Sequence, residues 1–166
     1  LSALPTHSNR LGQEGAEILA MAVALASNME DFHLEEFIEA LLPVCESDIF
    51  TEKLQRIPEL IATDKIGLLG NGIAAQESVI TAIACFAQHP DSYAQTIGKA
   101  IFLGGDTDTI AAMAGGISGA YLGIDAIPFI LLDKLEQSPK GKDYLYQLAE
   151  DLLANYQAKT SFTTFP

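Results

Sequence analysis

The sequence predicts an all-α fold. Apolar residues recur at helical spacing through most of the chain, several of those stretches are rich in Ala and Leu, and no alternating strand pattern of convincing length occurs. Pro and Gly punctuate the helical stretches at intervals short enough to give many helices rather than a few long ones.

The first expected helix is residues 15–26, GAEILAMAVALA, apolar nearly all round and therefore buried. Residues 30–42 set Phe32, Phe37, Ile38, Leu41 and Leu42 among acids, an amphipathic helix with carboxylates in its first turn and an end at Pro43. Residues 48–61 carry Ile49, Leu54, Ile57, Leu60 and Ile61, with Pro58 as a kink or break. GLLGNGIAA, from Gly67, reads as a glycine-punctuated loop. A helix over residues 76–88 stops before Pro90, and Asp91 or Ser92 can cap the next, which reaches Leu103. After the Gly104-Gly105 break, residues 109–121 form a helix in which Ala111, Gly115, Gly119 and Gly123 recur every fourth position, as do Ala112, Gly116 and Ala120. Glycine costs about 1 kcal/mol relative to Ala in a helix interior, so something must come close to this backbone, ordinarily another helix. This helix is expected at the centre of the fold. Ile127-Pro128 breaks the chain again, a short apolar helix and the SPKGK loop follow, and the last helix spans residues 143–157, with Leu145, Leu148, Leu152 and Leu153 on one side. Residues 158–166 have no helical period and read as a loose tail.

The chain has 166 residues, enough for one domain or a large piece of one. Hydrophobic residues make up 49% and mean hydropathy is +0.22, ample for a core and against disorder. The 22 acidic residues outnumber the 9 basic ones, giving a net charge of −13. With no Lys/Arg cluster, direct nucleic-acid binding and attraction to anionic membranes are not expected. No apolar run is long enough for a membrane span, and the opening LSALPTHSNRLG lacks the features of a signal peptide. Cys45 and Cys85, far apart and each in an apolar stretch, are expected to be reduced core residues of an intracellular protein. The chain opens on Leu1 rather than Met, which suggests a fragment.

The sharpest local feature is Gly104-Gly105-Asp106-Thr107-Asp108-Thr109. Two carboxylates at i and i+2 and a hydroxyl at i+3, on a glycine-started turn ahead of an apolar helix, are hard oxygen ligands suited to Mg²⁺, Mn²⁺ or Ca²⁺. The same residues also read as ordinary helix caps. An EF-hand loop fails, because its fifth and sixth positions hold Ile110 and Ala111. A DxDx[TV] phosphatase loop fails at Ile110 and at the preceding glycines.

GGDTDTIAAMAGGISGAYLG, residues 104–123, resembles the C-terminal metal-binding signature of the ADP-ribosylglycohydrolase family. LSALPTHSNRLGQEGAEILAMAVALA resembles that family's Thr-His-Ser segment and the helix after it. GLLGNGIAAQESVITAIACF is similar to the stretch before the signature, most of all in the branch that cleaves poly(ADP-ribose) and ADP-ribosyl-serine. The resemblance covers residues 1–157 and implies an orthogonal helical bundle of which this chain is the C-terminal half.

That resemblance implies that Asp106, Asp108 and Thr109 are ligands of a two-Mg²⁺ centre, with the counterpart of Asp108 able to bridge both ions. It implies that His7, Ile73 and Gly105 contact ADP-ribose. His33 and His89 match nothing. The family's other half carries a Thr-Asp-Asp metal segment, the catalytic glutamate and glycine-rich phosphate loops; none is found here, so no catalytic residue is expected in this half. The implied function is Mg-dependent hydrolysis of O-linked ADP-ribose conjugates, on serine or in the polymer, with the N-terminal half of the same enzyme as partner. The rival readings are a catalytically silent structural relative and an ADP-ribose-binding module. The carboxylates of the turn argue against the first as far as this half goes.

Overall fold

A computed structural model describes residues 3–6 and 8–161. Among the described residues there are helices and turns and no strand, as the apolar spacing requires. No helix among them is long and apolar enough to cross a membrane. The chain divides into two compact units, Leu1–Ile127 and Pro128–Pro166.

The first unit holds six helices: α1 (Arg10–Ala26), α2 (Leu34–Leu41), α3 (Asp48–Ala62), α4 (Ala75–Gln88), α5 (Tyr93–Leu103) and α6 (Thr107–Leu122). The second holds the short α7 (Phe129–Leu132) and α8 (Lys142–Ser161). The helix α1 starts earlier than its apolar stretch because Asn9 caps it, accepting a hydrogen bond from the Leu11 N–H at 2.9 Å. In contrast, α2 is shorter than expected. His33 is its extended N-cap residue, so Glu35 and Glu36, not Glu30 and Asp31, occupy the first turn. The α-helix ends at Leu41, just ahead of Pro43 as expected, and Pro43 lies inside a 3-10 turn, Leu42–Val44. Pro58 does not break α3. Leu54, Ile57 and Leu60 around it are all buried, and that packing outweighs the hydrogen bond that proline removes. At the other end of the chain α8 runs to Ser161, past residue 157, into the stretch expected to be loose.

The centre of the first unit is α4, not the Gly/Ala-rich α6. Every residue of α4 from Ser78 to Ala87 is buried. Ile80, Ile83 and Phe86 are fully enclosed with Ile18 of α1, Phe50 and Ile57 of α3, and Ile110 of α6 in one continuous core. Within the glycine stripe of α6, Gly115 packs closely on α5: a Cβ there would stand 3.0 Å from both the Tyr93 hydroxyl and Ile97 Cδ1, so those side-chain ends would have to give way. Residues 112 and 116 lie on the exposed side of α6. Its C-terminal end is held by aromatic contacts: Tyr121 lies 5.8 Å from Phe86 and 6.2 Å from Phe32, both edge-on.

One buried acid joins α1 to α3. Glu14 is 5% exposed, and its Oε1 accepts from the backbone N–H groups of Glu46 and Ser47, each at 2.8 Å, and from the Ser47 hydroxyl at 3.0 Å. The N-cap residue of α3 makes no side-chain cap of its own, so the Glu14 carboxylate satisfies donors ahead of that helix and sits favourably at its positive end. Glu14→Ala strands those donors and is expected to cost about 2–3 kcal/mol. Urea unfolding checks this: the midpoint should fall at unchanged m-value, and fall well beyond that of Glu17→Ala, an exposed acid on the same helix.

Candidate functional site

The GGDTDT segment lies where α5 ends and α6 begins. Gly104 and Gly105 both have left-handed φ, +70° and +71°, which turns the chain between the two helices. Gly105 also has no room for a side chain, since a Cβ would fall 2.0 Å from the backbone oxygen of Asn71. Asn71 belongs to the GNGIAA loop. Its carbonyl accepts from the Asp106 N–H at 2.8 Å, and its side-chain amide donates to the Leu103 carbonyl at 2.8 Å. The loop and the acidic turn, 32 residues apart in sequence at the side-chain bond, are thus clasped by the two ends of one asparagine.

Asp106 occupies the N-cap position of α6, but its side chain makes no capping hydrogen bond. Instead Oδ1 accepts from the Thr109 hydroxyl at 2.9 Å, which brings the two oxygen-bearing groups together. Asp108, in the first turn of α6, is exposed, as is Thr109. For Asp106, capping is therefore not what the side chain does.

The GNGIAA loop is fastened along its length. Lys53 of α3 donates to the Leu69 carbonyl, the Thr81 hydroxyl of α4 to the Gly70 carbonyl at 2.5 Å, and the Gly72 N–H to Glu77 Oε2 at 2.9 Å. Burial lowers the Lys53 pKa, Glu77 pulls it up, and Arg56 adds to the lowering. At the tip of this held loop, Ile73 is 88% exposed. The three bonds hold the backbone on both sides of Asn71 and leave the Ile73 side chain in solvent.

A cavity of about 600 Å³ opens between α1, this loop and α6. Ile73 and Thr109 both line it, with Leu11 and Leu19 of α1, Gln76 of α4 and Met113 of α6. Two residues singled out from separate motifs therefore line one cavity, and Asp106 is joined to its lining through Thr109. Gly105 holds the turn against the loop. His7 lies outside the described residues. The sequence reading missed Asn71 and Glu77; the only sign of the former was its place between two glycines.

The donor set is oxygen only, two carboxylates and a hydroxyl, which fits part of the shell of a hard divalent cation. Among the described residues there is no group of three His, Cys, Asp or Glu side chains that could hold a metal alone. The turn thus suits a cation that takes its remaining ligands from elsewhere.

The family model described as ADP-ribosylglycohydrolase matches residues 1–161. The chain belongs to the ADP-ribosylglycohydrolase family. Its curated relatives include the ADP-ribosylhydrolase ARH3 of Bos taurus, 38% identical over 95% of this chain and 51% of the relative, and that of Homo sapiens, 37% identical with the same shares. An uncharacterized protein of Archaeoglobus fulgidus is 31% identical over 92% of this chain and 48% of its own length. The chain spans about half the length of the curated relatives it matches.

Gly105→Ala is expected to unfasten this ADP-ribosylglycohydrolase turn, because both its φ and the Asn71 carbonyl oppose a Cβ. Hydrogen exchange checks it: the Asp106 amide, bonded to Asn71, should lose protection, while the amides of the buried α4 segment keep theirs.

Proposed function

We propose that this chain supplies the C-terminal half of an ADP-ribose-releasing glycoside hydrolase acting on O-linked conjugates, on serine or in poly(ADP-ribose). The supporting observation is that Ile73 and Thr109 line one cavity while Thr109 is hydrogen-bonded to Asp106. The relatives named ADP-ribosylhydrolase support the same reading.

In this reading Asp106, Asp108 and Thr109 furnish oxygen ligands to a two-Mg²⁺ centre. Mg²⁺, when bound, orients the ribose hydroxyls and polarises the glycosidic bond. Gly105 contributes through its backbone, its missing side chain being what seats the turn against Asn71; Ile73 covers an apolar face of ADP-ribose, and His7 makes a polar contact with it. The carboxylate that activates water comes from a complementary N-terminal half, so this chain holds no catalytic residue of its own. The ligand is a conjugate on a protein or in the polymer, not a nucleic acid.

The test is steady-state hydrolysis of an ADP-ribosyl-serine peptide with excess Mg²⁺. Chain 1–166 alone should be inactive, because two carboxylates and one hydroxyl leave a near-octahedral Mg²⁺ short of ligands. Supplying the complementary half should give turnover that EDTA abolishes. In the reconstituted enzyme Asp108→Ala should cost on the order of 10³-fold or more in kcat. Asp106→Ala and Thr109→Ala should cost less, and His7→Ala should mainly raise KM. Near-normal kcat for Asp108→Ala, or turnover indifferent to EDTA, would refute the assignment.

A further inference from the structure

We infer that Asn71 is a positioning residue that couples the acidic turn to the ligand-facing loop, so that a divalent cation at Asp106 and Asp108 sets the conformation of Ile73. This rests on the reading of the turn as a cation site. The geometry that carries it is the two-ended clasp. The Asn71 carbonyl takes the Asp106 N–H, the N–H of a proposed ligand residue, while its side chain takes the carbonyl of Leu103 on the other side of the glycine pair. The backbones meet so closely at Gly105 that a Cβ would overlap the Asn71 oxygen. Ile73 is two residues further along the loop, and between them the Gly72 N–H is held by Glu77. A displacement of the turn is therefore passed to the loop through Asn71. A side chain lacking the amide leaves Leu103 without that donor and keeps only the backbone half of the clasp.

The other loop anchors serve as internal controls. The Thr81–Gly70 bond ties the loop to α4 and does not touch the turn. Losing it loosens the loop without uncoupling it from the turn.

The experiment is Mg²⁺ titration, followed by NMR, of chain 1–166 labelled at the isoleucine methyl groups and the backbone amides and reconstituted with the unlabelled complementary half. In the wild-type chain the amides of Asp106 and Asp108 and the Ile73 methyl should respond with one common midpoint. In Asn71→Ala and Asn71→Asp the turn amides should still respond, while the Ile73 shift falls below about half its wild-type size. Thr81→Val should keep the Ile73 response. Thermal melts confirm that the variants are folded. An Ile73 response undiminished in both Asn71 variants, or lost equally in Thr81→Val, overturns the coupling and leaves the cation site standing. Turn amides that ignore Mg²⁺ in the reconstituted wild-type protein overturn both the coupling and the cation site.

Discussion

A helix shut off from solvent along residues 78–87 imposes more on this fold than any other single feature. Buried on every side, α4 must be met by apolar surface from each neighbour, and α1, α3 and α6 supply it through Ile18, Phe50, Ile57 and Ile110. The same burial makes an unpartnered polar atom in this stretch costly. Ser78 and Thr81 of α4 answer by binding carbonyls of the segment just before the helix, those of Ala74 and Gly70. The loop that carries Asn71 and Ile73 is thereby fixed by the demands of the core, and the acidic turn is fixed by the loop.

How far this could be read from the sequence depends on the range of each interaction. The all-α class and the helices α4, α5 and α6 were legible because their determinants are local: apolar spacing, Ser92 at a cap, a glycine pair between helices. The packing of α6 was legible too, since glycine every fourth residue has few uses besides a close neighbour, and Gly115 meets Tyr93 and Ile97. Its rank was not. Small residues permit close approach, but they do not say which of two adjoining helices is enclosed, and α4 with its Ile and Phe side chains proved to be that one. Of the two outcomes Pro58 allowed, a break did not occur, because tertiary burial of its neighbours outweighed a local preference. The bounds of α1 and α2 shifted because Asn9 and His33 took the cap positions.

The candidate site divides along the same line. GGDTDT announced its donor chemistry in six adjacent letters, whereas the asparagine that seats it against the loop is a long-range partner with no local signature. The charge balance is instructive as well. With a net charge of −13, and with Asp106 hydrogen-bonded to Thr109 of the cavity lining, this region carries carboxylate rather than cationic charge.

The interior placement of Cys85 bears on how this unit meets oxidants. Burial pushes its thiol up to about 12, and burial together with the Glu14 carboxylate raises that of Cys45. A thiol whose pKa lies above its ordinary value stays protonated at neutral pH, and the protonated form is a weak nucleophile. Peroxide, alkylating reagents and disulfide exchange all need the thiolate. The core therefore carries the Cys85 sulfur at little chemical risk, with Cys45 half-buried at its edge: a burst of oxidant that modifies accessible thiols elsewhere should leave the α4 core with its packing unchanged.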